Sequence, residues 1–175
     1  HGVESVVMTA TAVTAKRRHT WSAVDAVMPE VPQPQSIPRT SAIKRVAWPQ
    51  RYDMRPCAGE VPTEWNGAEA DSMTQLWMRD EPPRPLDFCS LTALADVFYP
   101  RVWRRRAVMT PVGTVSMTVY FHASAAELAA TGTDYLLGHA RAQSFFNGFF
   151  DQSAELWIES GHLLATTHQI VYFKE

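Results

Sequence analysis

The 175 residues suffice for one domain with some length to spare. Hydrophobic residues make up 46%, enough for one real core, and the net charge of -2 gives no reason to expect nucleic acid as a main partner. No apolar run reaches the ~18 residues of a membrane-spanning helix, and His1-Gly2-Val3-Glu4 has no charged-then-apolar leader. Cys57 and Cys89 are the two cysteines, and neither sits in a paired metal spacing. The expectation is a reduced, cytoplasmic protein with no metal and no cofactor. The missing initiator Met hints that residue 1 is not the natural start.

In chain order, Ser5 to Val13 is rich in β-branched residues and bounded by Gly2 and Lys16-Arg17-Arg18, which predicts a strand. Pro29, Pro32, Pro34, Pro38 and Pro49 crowd the next stretch, so about residues 25–44 read as an extended linker. A lone strand before a linker needs a sheet to join. Val46 to Met54 reads as extended and Thr74 to Arg79 as a short strand, stopped by Pro82, Pro83 and Pro85. Asp87 is a candidate N-cap, with Phe88, Leu91, Ala95 and Phe98 on one helical face and Pro100 as the stop. Four strand candidates follow. Val115, Met117, Val119 and Phe121 alternate with Ser116, Thr118, Tyr120 and His122. Tyr135–Ser144, Phe149–Ile158 and Leu163–Phe173 complete the set, with a hairpin signal at Ser160-Gly161. One helix against consecutive antiparallel strands is an α+β pattern. Leu136, Gly138, Ala140, Ala142 and Ser144 give one strand a mostly small face, over which the helix can approach closely.

Met8-Thr9-Ala10-Thr11, Arg55-Pro56, Leu94-Ala95-Asp96, the run Ser116 to His122, Asn147-Gly148-Phe149-Phe150, and Ala165-Thr166-Thr167-His168-Gln169 occur in a particular order and spacing. That ordered set resembles the type II acyl-CoA thioesterases, whose monomer is two fused hot-dog folds. The resemblance implies an α+β hot-dog fold, an antiparallel β-sheet wrapped around a central α-helix, as one half of a double hot dog. Residues 1–24 would hold the last strand of an N-terminal hot dog, 25–44 the linker, and 45–175 the C-terminal hot dog. It implies hydrolysis of fatty acyl-CoA to a free acid and coenzyme A. Expected partners are the acyl-CoA substrate, the N-terminal half and further copies in a homo-oligomer, with no nucleic acid and no membrane. The family's Asp, Thr and Gln, which together position a hydrolytic water, fall on Asp96, Thr114 and Gln169. Two positions depart from the family pattern: Ser116 and Ile170 stand where acidic residues are common.

The residues themselves weigh unequally. Gln169 shares a strand face with Leu163, Ala165, Thr167, Val171 and Phe173, and a lone amide there must find partners or cost about 1–3 kcal/mol. The bland alternative is a structural amide bonded to backbone. Asp96 falls near a helix C-terminus, where the macrodipole disfavours a carboxylate. Its alternative is an ordinary solvated aspartate. Thr114 shares the parity of Ser116 and Thr118, not of the apolar Val115 face, so the resemblance alone selects it. Arg104-Arg105-Arg106 could meet coenzyme A phosphates, although a solvated basic loop is the favoured reading. Phe145, Phe146, Phe149 and Phe150 read as core or dimer interface. A non-catalytic acyl-CoA-binding module and an inactive assembly half are the rival functions.

Overall fold

The computed structural model describes residues 5–40 and 46–174. Its elements are β1 (Tyr52–Ala58), β2 (Thr74–Asp80), α1 (Phe88–Leu94), α2 (Arg101–Arg106), β3 (Val112–Phe121), α3 (Ala125–Thr131), β4 (Leu136–Arg141), β5 (Phe145–Phe146), β6 (Phe149–Ile158) and β7 (Leu163–Phe173). The strands form one sheet in the order β1-β2-β4-β6-β7-β3, with β5 paired to β6. Neighbouring strands run antiparallel throughout. This is the α+β hot-dog arrangement.

The Asp87 side chain accepts a hydrogen bond from the Ser90 N–H at 2.7 Å, so the predicted N-cap starts α1. The helix ends at Leu94, earlier than the apolar spacing predicts. Its last turn tightens, with Asp96 N–H donating to Ala93 O and Val97 N–H to Leu94 O. Val97, Phe98 and Tyr99 are buried in succession, which a one-sided helical stripe does not allow. Leu91, Leu94, Ala95, Val97 and Phe98 join Met54, Leu76, Met78, Leu136, Ala154 and Leu156 in the main core.

The small face of β4 has the expected use. A Cβ on Gly138 would lie 2.6 Å from the Phe98 ring tip and 2.8 Å from the Met78 methyl. The opposite sheet face carries Trp77, Tyr135, Leu137, Trp157 and Leu163. The proline-rich segment lies across that face. It is irregular apart from a 3-10 turn at Pro34–Ser36. Ala26, Met28, Val31 and Ile37 pack there, and the Trp77 indole donates to Pro32 O at 2.8 Å. Arg55 donates to Pro34 O and Ile37 O while also pairing with buried Asp53.

Other details differ from the sequence expectation. Trp48–Arg51 is a 3-10 turn, with Pro49 in its first turn, so the expected extended run begins only at Tyr52. Residues 5–33 form no helix or strand, and Val6, Val7, Met8 and Val13 are exposed. The β6–β7 register shifts between Leu156 and Trp157, which moves Leu163 to the outer face and puts Leu164 in the core. Two further helices, α2 and α3, interrupt the strands. The signal for α3 was a capping box, Ser124 with Glu127, and both of its hydrogen bonds form.

On the inner face of β7 the buried Thr167 hydroxyl has no hydrogen-bond partner among the described residues. Valine keeps the shape and removes the orphaned group. Thr167→Val is therefore expected to leave stability unchanged or raise it by about 1 kcal/mol, read by urea unfolding. A loss of similar size would show that the hydroxyl has a partner.

Candidate active site

A cavity of about 590 Å³ opens between the C-terminal end of α1, the following loop, and the inner faces of β3, β6 and β7. Asp96, Thr114 and Gln169 all line it. Sequence positions 73 residues apart meet directly: Gln169 Nε2 donates to Asp96 Oδ1 at 2.8 Å. Its partner is thus a carboxylate, not backbone.

Each element has a local reason for this placement. Gln169 is 2% exposed and lies on the inner parity of β7 with Ala165, Thr167 and Val171. Asp96 follows Ala95, which is anchored in the core, so the tightened turn carries its side chain to the cavity wall. As a whole residue Asp96 is exposed. Desolvation of its carboxyl by the surrounding protein nevertheless raises its pKa, and the Gln169 hydrogen bond only partly offsets that.

Thr114 reaches the cavity through a β-bulge. The β3–β7 register shifts between Thr114 and Ser116. Thr114 pairs with Val171, and Met117 pairs with Gln169, so Val115 is the extra residue. Val115 is exposed, against the expectation that it joins the apolar face of Met117, Val119 and Phe121. The bulge reverses parity, and Thr114 shares the inner face with Met117. No hydrogen bond links Thr114 to Asp96 or Gln169 among the described residues.

Three features were not picked out from sequence. Met117 Sδ lies 3.5 Å from Gln169 Nε2 and helps orient the amide. Phe150, expected as core or interface, is buried and also walls the cavity. Gln152, cross-strand partner of Gln169, faces the same space. Its signal was the one that marked Gln169: an amide alternating with apolar Phe150, Ala154 and Leu156.

The remaining candidates lie elsewhere. Arg104 pairs with Asp71 at 3.6 Å and Arg105 with Glu69 at 2.9 Å. Arg105 and Arg106 border a larger groove, about 910 Å³, that contains none of the three candidates. The smaller cavity, not this groove, therefore brings the three candidates together. No group of three or more His, Cys, Asp or Glu is placed to hold a metal ion among the described residues. No helix among the described residues is long and apolar enough to cross a membrane.

A hot-dog protein of unknown function from Alicyclobacillus acidocaldarius is 46% identical, with a TM-score of 0.84 over 91% of this chain and 59% of that one. An acyl-CoA thioesterase II from Mycobacterium marinum shares the fold at 18% identity and a TM-score of 0.63, over 90% of this chain and 59% of that one. The chain thus spans about three fifths of the length of these structures. No curated protein matches the sequence. The family model of the acyl-CoA thioesterase C-terminal domain matches residues 13–173, and the chain belongs to that family.

Proposed function

We propose that this chain is the C-terminal half of a double hot-dog acyl-CoA thioesterase and carries its hydrolytic residues Asp96, Thr114 and Gln169. The observation that carries the reading is the 2.8 Å bond from Gln169 to Asp96 on the wall of a cavity that also takes Thr114. A thioester hydrolase needs an aimed water, a base and oxyanion donors. Asp96 Oδ1 is held by Gln169, which fixes the carboxylate and leaves its other oxygen for a water. The Gln169 carbonyl and the Thr114 hydroxyl supply further sites for that water. The water oxygen bonds to the thioester carbonyl carbon as Asp96 takes its proton. The C–S bond then breaks, and the coenzyme A sulfur leaves with a proton returned from Asp96. The products are a carboxylic acid and a free thiol.

The start of α1 does not supply the oxyanion donors. The Ser90 N–H at the start of α1 is occupied by Asp87, and the cavity lies at the other end of that helix. An N-terminal hot dog would supply them. It would also pair with residues 3–15, whose exposed Val6, Val7, Met8 and Val13 have no sheet here. A fatty acyl group, a homo-oligomeric assembly and a cytoplasmic setting complete the proposal.

The pH dependence of thiol release tests it. Asp96 works ionised, and desolvation places its pKa above the ordinary 3.8. The kcat/KM of the two-half protein should therefore fall as pH drops, along an acid limb displaced above 3.8. Activity that stays flat down to that ordinary value would remove Asp96 as the base.

A further inference from the structure

We infer that Met117 is an oxidation site in the wall of the active cavity, through which a hydroperoxide switches the proposed hydrolysis off. The inference rests on the thioesterase reading and adds a means of regulating it. Met117 of β3 pairs with Gln169 of β7 and lines the same cavity. Its sulfur lies 3.5 Å from Gln169 Nε2, which also donates to Asp96 Oδ1 at 2.8 Å. The amide nitrogen carries two hydrogens. One is held by a carboxylate, a strong acceptor. The other is held by a thioether, a weak one. A stronger acceptor placed at that sulfur therefore captures the second N–H.

Oxidation builds such an acceptor on the same side chain. The sulfur lone pair attacks one oxygen of a hydroperoxide, the S–O bond forms and the O–O bond breaks. The proton on the transferred oxygen passes to the departing one, which leaves as water or an alcohol. The thioether is oxidised to a polar sulfoxide and the peroxide is reduced. At 3.5 Å, the sulfur and the amide nitrogen leave no room for an oxygen in line between them. The new oxygen either pulls the amide off Asp96 or projects into the cavity that Asp96 and Thr114 line. The first loosens the carboxylate, and the second takes the space of the attacking water. Access sets Met117 apart from the other methionines near the core. Met54 and Met78 are sealed at 1% and 0% exposure. Met117 is half-buried and borders an open cavity that hydrogen peroxide can enter. Met109 is more exposed, but it lines a separate pocket that contains neither Asp96 nor Gln169.

The test treats the two-half protein with hydrogen peroxide, as wild type, Met117→Leu and Met109→Leu, each compared with its own untreated sample. Leucine conserves the methionine volume and cannot be oxidised. Should Met117→Leu not fold, Met117→Ile replaces it. Peptide mass spectrometry counts the added oxygen at each methionine. A thiol reductant applied afterwards reverses sulfenic acid or disulfide at Cys57 and Cys89 but leaves methionine sulfoxide. In the wild type, kcat should fall in step with the fraction of Met117 oxidised, by about 10²-fold at completion, the effect of a small misplacement at a reacting centre. The thiol should not restore it, and methionine sulfoxide reductases should. Met109→Leu should lose activity like the wild type, and Met117→Leu should keep its own untreated rate. A Met117 that stays unoxidised, full activity with Met117 oxidised, or equal inactivation of Met117→Leu overturns the inference. If the untreated wild type hydrolyses no thioester, the catalytic reading fails, and calorimetric binding of acyl-CoA before and after oxidation decides this one. Affinity that changes with Met117 oxidation in the wild type and not in Met117→Leu supports it, and unchanged affinity refutes it.

Discussion

Asp96→Asn and Gln169→Ala in the two-half protein are each expected to lower kcat by about 10²–10⁴-fold, the usual worth of positioned acid–base catalysis. Asparagine is close to isosteric with aspartate but cannot take a proton from water. Alanine at 169 leaves Asp96 without its 2.8 Å donor and the water without an amide. The two side chains act as a unit, so the double variant should cost little more than the worse single one. Stability separates this from unfolding. The folded-state pKa of Asp96 is raised, so its ionised form is disfavoured in the fold. Stability tied to that group is present below its unfolded pKa and is lost as pH rises through the folded value. At neutral pH, Asp96→Asn should therefore hold or raise the melting temperature while activity collapses. Full activity in both variants would sink the assignment.

Gly59→Ala is expected to cost about 3 kcal/mol or more, lowering Tm by roughly 6–12 °C. Gly59 follows β1 with φ +65, and an added Cβ would sit 1.9 Å from Met73 O and 2.9 Å from Thr74 Cα. Those are backbone atoms and cannot swing away. The segment is also tied from the other side. Thr74 Oγ1 donates to Gly59 O at 2.8 Å and accepts from buried Arg101 Nη1 at 2.8 Å. Gly67 supplies the control, since it has φ +79 but nothing within 4 Å. Gly67→Ala should cost only the backbone conformational penalty, about 1–2 kcal/mol. Equal losses in the two variants would show that the clash at Gly59 relaxes.

The strands that build the wall were legible because alternation and turns marked them. The small face of β4 was legible for the same reason, and its partner proved to be Phe98, past the end of α1. What escaped were the places where parity breaks. Strict alternation put Thr114 on the wrong face, because a one-residue bulge leaves no composition signal when the extra residue is an apolar Val115. Leu163 moved outward for a related reason. The proline-rich segment was legible as irregular chain, but its Ala26, Met28, Val31 and Ile37 follow no period that predicts packing on the sheet. Helix α3 had a readable cap at Ser124 and was lost among strand signals. In the site, Gln169 stood out as an amide on an apolar face. Gln152 carries the same signature one strand away. The meeting of Gln169 with Asp96 depends on the turn after α1, which no spacing rule encodes.

Thiol release from acyl-CoA by the two-half wild-type protein, followed alongside calorimetric binding of the same compound, tests the central claim most directly. The account predicts many turnovers, with one free acid formed per thiol released. Tight, stoichiometric binding of acyl-CoA with no thiol released would contradict it and identify the cavity as a binding site without catalysis.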